Sequence, residues 1–317
     1  MSRKLYRSIL FSILALALPL TAQAQQATDP DFAPKVAQPM FVTHHPRLLV
    51  DQAHHNTHTA HARYDALARL VTADGFSVFA DANPFTPHDL KEAEVLVVAN
   101  PLGSEDPKSA KVTDPAFTAE ECDAVHAWVE AGGALLLIAD HAPMGMAARP
   151  MAARFGVDFN AGVLTDPTLA DKSFGASTLV FSSATGTLGD HVIIHGRAPA
   201  ERVKRVRTYT GQSLSVPPGA VALLKVTPRA QDIMLNPAGG PGAVADSLKH
   251  GAAGRAQAIA FTVGRGRVVM IGETTIFAAQ IQTGADGVKH KVGLNSPGFD
   301  NRQFALNVMR WLAKGLN

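Results

Sequence analysis

The sequence predicts an α/β protein on a mainly parallel, doubly wound sheet, carrying a β-rich accessory segment. Apolar runs alternate with helical stretches through the first half of the chain and again near its end. Between them lie short Val-, Ile-, Leu- and Thr-rich pieces separated by Gly, Pro and Asp turns. Of 317 residues, 46% are hydrophobic and 18% charged, with no glycine period, which argues against a disordered or collagenous chain.

Each element has its own signal. Residues 47–51 form an apolar run ending at Asp51, and 60–73 carry Tyr64, Leu67, Ala68 and Val71 at helical spacing. Asp74-Gly75 ends that helix, and 76–80 make a second strand. The third strand, 95–100, is apolar up to Asn100, as a strand covered on both faces should be. Thr118 and Glu121 form a capping box for a helix that ends at Gly132-Gly133. Residues 134–139 are a fourth strand leading into Asp140-His141. From 156 to 254 the pieces 179–181, 192–194, 203–209 and 220–226 read as strands, and 237–254 as a loop. Strands 256–263 and 267–271 then meet through Gly264-Arg265-Gly266, a hairpin turn rather than a phosphate loop. Asn301 to Leu312 is the last helix, with Phe304, Val308, Trp311 and Leu312 on its apolar side.

Residues 1–24 have the pattern of a secretory signal: Arg3, Lys4 and Arg7, then an apolar stretch, then Ala22-Gln23-Ala24. The expected mature protein is periplasmic or secreted, cleaved near Ala24, with no stable membrane span. Residues 25–46 read as an irregular leader to one domain over 47–315. The formal charge of +2 falls to −1 once the three signal cations are removed, so nucleic acid is not an expected partner. Arg202, Lys204, Arg205 and Arg207 read as the exposed side of a strand. A lone cysteine, Cys122, rules out an internal disulfide and sits on the apolar side of its helix.

Ligands of open α/β sheets bind beyond the carboxyl ends of the strands. Those ends carry Asp51, Asn100, Asp140-His141 and Glu273, and six of thirteen histidines fall between His44 and His61. Were 54–58 helical, His54 and His58 would share a face. Imidazoles and carboxylates that converge can hold a divalent metal such as zinc or act as acid and base. The metal set would be Asp51, His54, His58 and His141, with Glu273, His141 and Asp140 as catalytic groups. Helix capping and plain solvation are the competing explanations. No G-x-S-x-G or H-E-x-x-H pattern occurs, and Gly211-Gln212-Ser213 reads as turn chemistry.

Several motifs together resemble an exported bacterial branch, a domain of unknown function, of the class I glutamine-amidotransferase-like superfamily. They are the segment from Asp51 through His54, Asn56 and His58, then Gly132-Gly133 through Asp140-His141-Ala142-Pro143. Gly266 through Gly272-Glu273 and Gly293-Leu294-Asn295 with Asn301, Asn307 and Trp311 complete them. The resemblance runs from about Leu48 to Leu312. It implies a flavodoxin-like three-layer α/β/α fold with a β accessory portion. It also extends to domains associated with gliding-motility transporters and intraflagellar transport, which act as binding modules. Superfamily members that are true amidotransferases place a cysteine on the strand-to-helix elbow. Here that position holds Asp140 to Pro143, so glutaminase activity is not expected. The polar residues of these motifs, with Asn56, Asn100, Asn295 and Asn301 as further ligand-binding candidates, imply a site.

Two functions stay open at this level. One is a hydrolase-like enzyme using the Asp/His/Glu rim; the other is a non-catalytic module binding a small molecule, glycan, peptide or envelope protein through the same cleft. Convergence of these residues is what separates them.

Overall fold

In the computed structural model, residues 26–234, 248–283 and 287–317 are described. The signal-like segment and most of the expected 237–254 loop lie outside them. The chain opens with β1 (Gln26–Thr28), β2 (Arg47–Asp51), α1 (Asp65–Ala73), β3 (Ser77–Asp81), α2 (Pro87–Leu90) and β4 (Val95–Ala99). It continues through α3 (Ala119–Glu130), β5 (Ala134–Ile138), α4 (Met144–Arg154), β6 (Val163–Thr165), β7 (Leu179–Ser182) and α5 (Val192–His195). Next come β8 (Arg205–Thr208), β9 (Val221–Lys225), β10 (Gln231–Ile233) and β11 (Lys249–Gly251). The last elements are β12 (Ala256–Val263), β13 (Gly266–Ile271), β14 (Ala279–Thr283), β15 (Lys289–Gly293) and α6 (Asn301–Leu312).

Seven strands form the main sheet in the order β3-β2-β4-β5-β13-β12-β9. The first five run parallel, and the β12–β13 hairpin turns the far edge antiparallel. Alternate side chains along these strands feed two separate cores. Val50, Val97, Leu136 and Val269 pack under α1 and α6. Leu49, Val98, Leu135 and Met270 pack under α2, α3 and α4. Both faces are covered, which explains the uninterrupted apolar runs of β4 and β5. The result is a three-layer α/β/α sandwich. Small antiparallel sheets, β11-β10-β6, β7-β8 and β1-β14-β15, surround it.

The elements depart from the sequence reading in several places, including α2 and the strand β11 within the expected 237–254 loop. Residues 192–195 are a helical turn rather than a strand, because the His191 side chain accepts from the Ile193 N–H and Asn307 holds the Ile193 carbonyl. The Ala-rich α4 is present despite Pro150 in its interior, where the sequence reading has no element. The pair β14–β15 was not expected, since its residues lack a long apolar run. The leader is not merely irregular. Its first strand pairs with β14, Asp29 is buried and bonded to Lys291 and Asn295, and Phe32 and Phe41 enter the core. Other signals appear as read: the Thr118–Glu121 capping box is reciprocal, and Cys122 lies in the core, where burial pushes its thiol up to about 11. Among the described residues no helix is long and apolar enough to cross a membrane.

The geometry also fixes a switch point. Strand β2 is followed by β3 on one side and β4 on the other, so a crevice opens above the carboxyl ends of β2 and β4.

Candidate functional site

Two hydrogen-bond networks occupy the carboxyl ends of the central strands. The first starts at Asp51. His54 Nδ1 lies 2.8 and 2.9 Å from the two Asp51 carboxylate oxygens, and its Nε2 lies 2.9 Å from Glu121 Oε1. Both partners are carboxylates that only accept, so His54 donates from both nitrogens as the imidazolium. Burial opposes that charge, but the bonds and charges of Asp51 and then Glu121 outweigh it and hold the imidazole above its usual pKa. The ring is clamped between Phe85 and Phe117, each 4.6 Å away between centroids. Asn56 completes the network, donating to Asp51 Oδ2 at 2.9 Å and accepting from the His54 N–H at 3.1 Å.

The second network gathers around Asp140, at the end of β5. Its carboxylate accepts from Asn100 Nδ2 at 2.7 Å, from the Thr274 N–H at 2.8 Å and from Thr274 Oγ1 at 2.7 Å. Asn100 adopts a left-handed backbone, φ 49°, that lets its side chain also accept from the Asp140 N–H at 2.8 Å. Glu273 is fully buried next door, and its two carboxylate oxygens accept from the N–H groups of Thr275 and Ile276 at 2.8 and 3.0 Å. Burial, reinforced by the charge of Asp140, pushes the Glu273 carboxyl up to about 8. Asp140 is raised as well, because burial outweighs the help of Asn100 and Thr274. Tyr64, buried beneath, donates to the Thr274 carbonyl at 3.1 Å and is raised by burial and by the same two acids.

The candidate metal set does not assemble. Residues 52–58 are irregular, so His54 and His58 do not share a helical face. Both nitrogens of His54 are occupied by carboxylates. His58 is buried edge-on against Tyr64, and burial with the nearby Arg63 charge drives it down to about 3. His141 turns Nδ1 to the Ala142 carbonyl at 2.7 Å. Among the described residues, no three His, Cys, Asp or Glu side chains are grouped to hold a metal ion. The other candidates are tied into the fold elsewhere. Asn295 bonds to Asp29 of the leader and Arg302, and buried Asn301 pairs with both backbone groups of Arg207 in β8. Ser213 is buried between Asp232 and Arg255, away from any open site. Of the basic group on β8, Arg207 is not simply exposed: it pairs with Asp171 and lies between the Phe174 and Phe299 rings.

What is open is the crevice at the switch point, about 410 Å³, lined by Gln52, His55, Asn56, Thr57, Leu102 and Glu105. Its loops are joined by backbone bonds from Thr57 to Asn100 and from Leu102 to His54. The Gln52 amide nitrogen is buried there without a hydrogen-bond partner among the described residues. Of these residues only Asn56 was a candidate from sequence. Gln52, next to Asp51, carried a positional signal that chemistry-led searching for acids and imidazoles passes over. Glu121 was legible only as a cap, and nothing local marked Tyr64 or Thr274.

The raised Glu273 pKa gives a stability signature. A carboxyl whose folded pKa exceeds its unfolded value weakens the fold as pH climbs from the unfolded pKa toward the folded one. Glu273→Gln should therefore gain on wild type by up to about 4 kcal/mol between pH 4.5 and 8. Urea unfolding at both pH values measures it, and a constant difference would rule out the buried neutral acid.

No family model matches the sequence, and no curated protein matches it. Among solved structures, the mmIFT52 N-terminal domain is similar at 16% identity and a TM-score of 0.57, over 84% of this chain and 97% of that one. A protein described as ThuA-like from Bacteroides uniformis matches at 15% identity and TM-score 0.40, over 88% and 94%. One described as a GMP synthase component from Thermoplasma acidophilum matches at 13% and 0.40, over 85% and 97%. At 16% identity the likeness to the mmIFT52 N-terminal domain is one of fold. That fold is an α/β arrangement with a mixed, mainly parallel seven-stranded sheet.

Proposed function

We propose that this chain is a binding module that takes a neutral saccharide in the crevice above β2 and β4. The acids beneath that crevice are its scaffold. One observation carries this reading: the rim carboxylates and His54 are already consumed by partners inside the fold, whereas the crevice offers an unpaired amide. Each oxygen of Asp140 and Glu273 and each nitrogen of His54 has a partner. The Gln52 amide can both donate and accept, as sugar hydroxyls do, and Leu102 and Pro107 supply an apolar wall. A buried donor left unpaired costs about 1–3 kcal/mol, which a ligand hydroxyl would offset once the Gln52 side chain turns its amide toward the crevice.

The test is a glycan array with purified protein, its Gln52→Ala variant and its His141→Ala variant, alongside nitrophenyl esters, amides and glycosides. Saccharide binding lost in Gln52→Ala and kept in His141→Ala supports the module. Turnover abolished by His141→Ala would put the acid–base enzyme in its place, since His141 follows Asp140 and only its Nδ1 is engaged, by the Ala142 carbonyl, among the described residues. No binding to any glycan overturns the saccharide.

A further inference from the structure

We propose a second, separate site: a pocket for a small amphiphilic oxyanion, a carboxylate or phosphate head on a short apolar body, between the leader and α6. The pocket measures about 340 Å³, a size suited to small ligands, and Lys35, Arg302, Gln303 and Leu306 are among its lining residues.

The charge balance around it points to an anion. Arg310, also on its wall, is fully engaged: it donates twice to Asp74 and once to Glu201, and Glu201 is bonded in turn to Arg197. Those four charges cancel. Two cations are left over. Arg302 is half-buried, yet its partners are neutral: Asn295 Oδ1 at 3.2 Å and the face of Phe32, 4.9 Å from the guanidinium carbon. No carboxylate pairs with it among the described residues, and burial alone lowers its pKa. Lys35 stands exposed at the mouth with no ion-pair partner among the described residues. A desolvated cation facing only neutral groups is costly, and an anion there would gain charge-assisted hydrogen bonds. Apart from Gln38 and Gln303, the remaining wall is apolar: Val36, Ala37, Ala198, Ala200 and Leu306. An oxyanion head at Arg302 with its body along these residues uses both halves of the pocket.

The pocket exists only because the leader folds onto α6, so the test uses protein that retains residues 26–46. Calorimetric titration with hexanoate, hexyl phosphate and neutral hexanol at low ionic strength reads it directly. The expected result is saturable binding of at least one of the two anions with a Kd below about 1 mM, none of hexanol, and weakening as salt is raised. The anion that binds tells carboxylate from phosphate. Arg302→Gln should weaken binding about tenfold or more, and the exposed Lys35→Gln several-fold, the latter with an unchanged melting temperature. Should Arg302→Gln fail to fold, the exposed Lys35→Gln carries the test. No saturable binding of either anion, equal binding of hexanol, or affinity unchanged in the folded variants overturns the site.

Discussion

His54→Ala is expected to cost about 3–5 kcal/mol of folding stability, because it removes the one cation between two buried carboxylates. Asp51 is fully buried and Glu121 nearly so, and neither has another cation to turn to among the described residues. The variant also leaves a gap between Phe85 and Phe117, which adds a cavity term. The loss should depend on pH in a set direction. The raised His54 pKa gives stability that is fully present below 6.5 and disappears as pH climbs through the folded value. The lowered Glu121 pKa, where the Thr118 and His54 bonds overcome burial, gives stability present above 4.5 and lost on further acidification. The gap between wild type and His54→Ala should thus be widest between pH 4.5 and 6.5. Urea unfolding across that range checks it. A gap below about 1 kcal/mol, or one indifferent to pH, would mean the relay is not a buried ion network.

Arg310→Met should be comparably severe, about 3–5 kcal/mol, for the same reason at the opposite end of the domain. The guanidinium is almost completely buried in α6 and holds Asp74 at the end of α1, Glu201, and the Gln38 carbonyl of the leader. Methionine fills part of the volume and leaves the Asp74 carboxylate buried without its cation. Adding Asp74→Asn should therefore restore stability relative to the single variant, by removing the charge that was stranded. A double variant no more stable than Arg310→Met would assign the loss to packing. The clasp should also weaken in acid. Hydrogen bonds from Arg197, opposed by burial, hold the Glu201 carboxyl down at about 2, so its share is fully present above 4.5 and is lost as pH falls from there through the folded value.

The parts of the fold legible in sequence are those in which local pattern and tertiary role coincide. Strands β2, β4, β5 and β13 read as apolar runs because both faces are covered, and α6 begins and ends where its periodicity says. The positions of Asp51, His54, Asn56, Asn100, Asp140 and Glu273 were legible: all lie at or just beyond strand ends, in hydrogen-bonded networks. What they do there was not. Glu121 lies 67 residues from His54 and was visible only as the N3 member of its capping box. Its first role, closing α3 from one carboxylate oxygen, does not reveal that the other oxygen meets an imidazole. The i, i+4 relation of His54 and His58 presumed a helix, but His55 is left-handed, φ 50°, and the segment turns instead. Whether a buried acid faces a proton donor or a ligand is decided by partners from other elements, such as Thr274 after β13 and Tyr64 at the start of α1, and periodicity says nothing of them.

The pairing of β1 with β14 bears on how the chain reaches this structure. Residues near the beginning are hydrogen-bonded to Gln280, Ile281 and Gln282, and Asp74 waits for Arg310. The central strand β5 likewise gains its second neighbour only from β13, beyond the whole accessory segment. Folding of this kind, dominated by contacts distant in sequence, is slow. A ribosome-bound chain stopped anywhere before residue 266 would carry an open edge on β5 and an unclosed core, a substrate for chaperones rather than a folding intermediate with half its stability. Closure belongs to the segment from Gly266 to Leu312, which supplies β13, β14 and the Arg310 of α6.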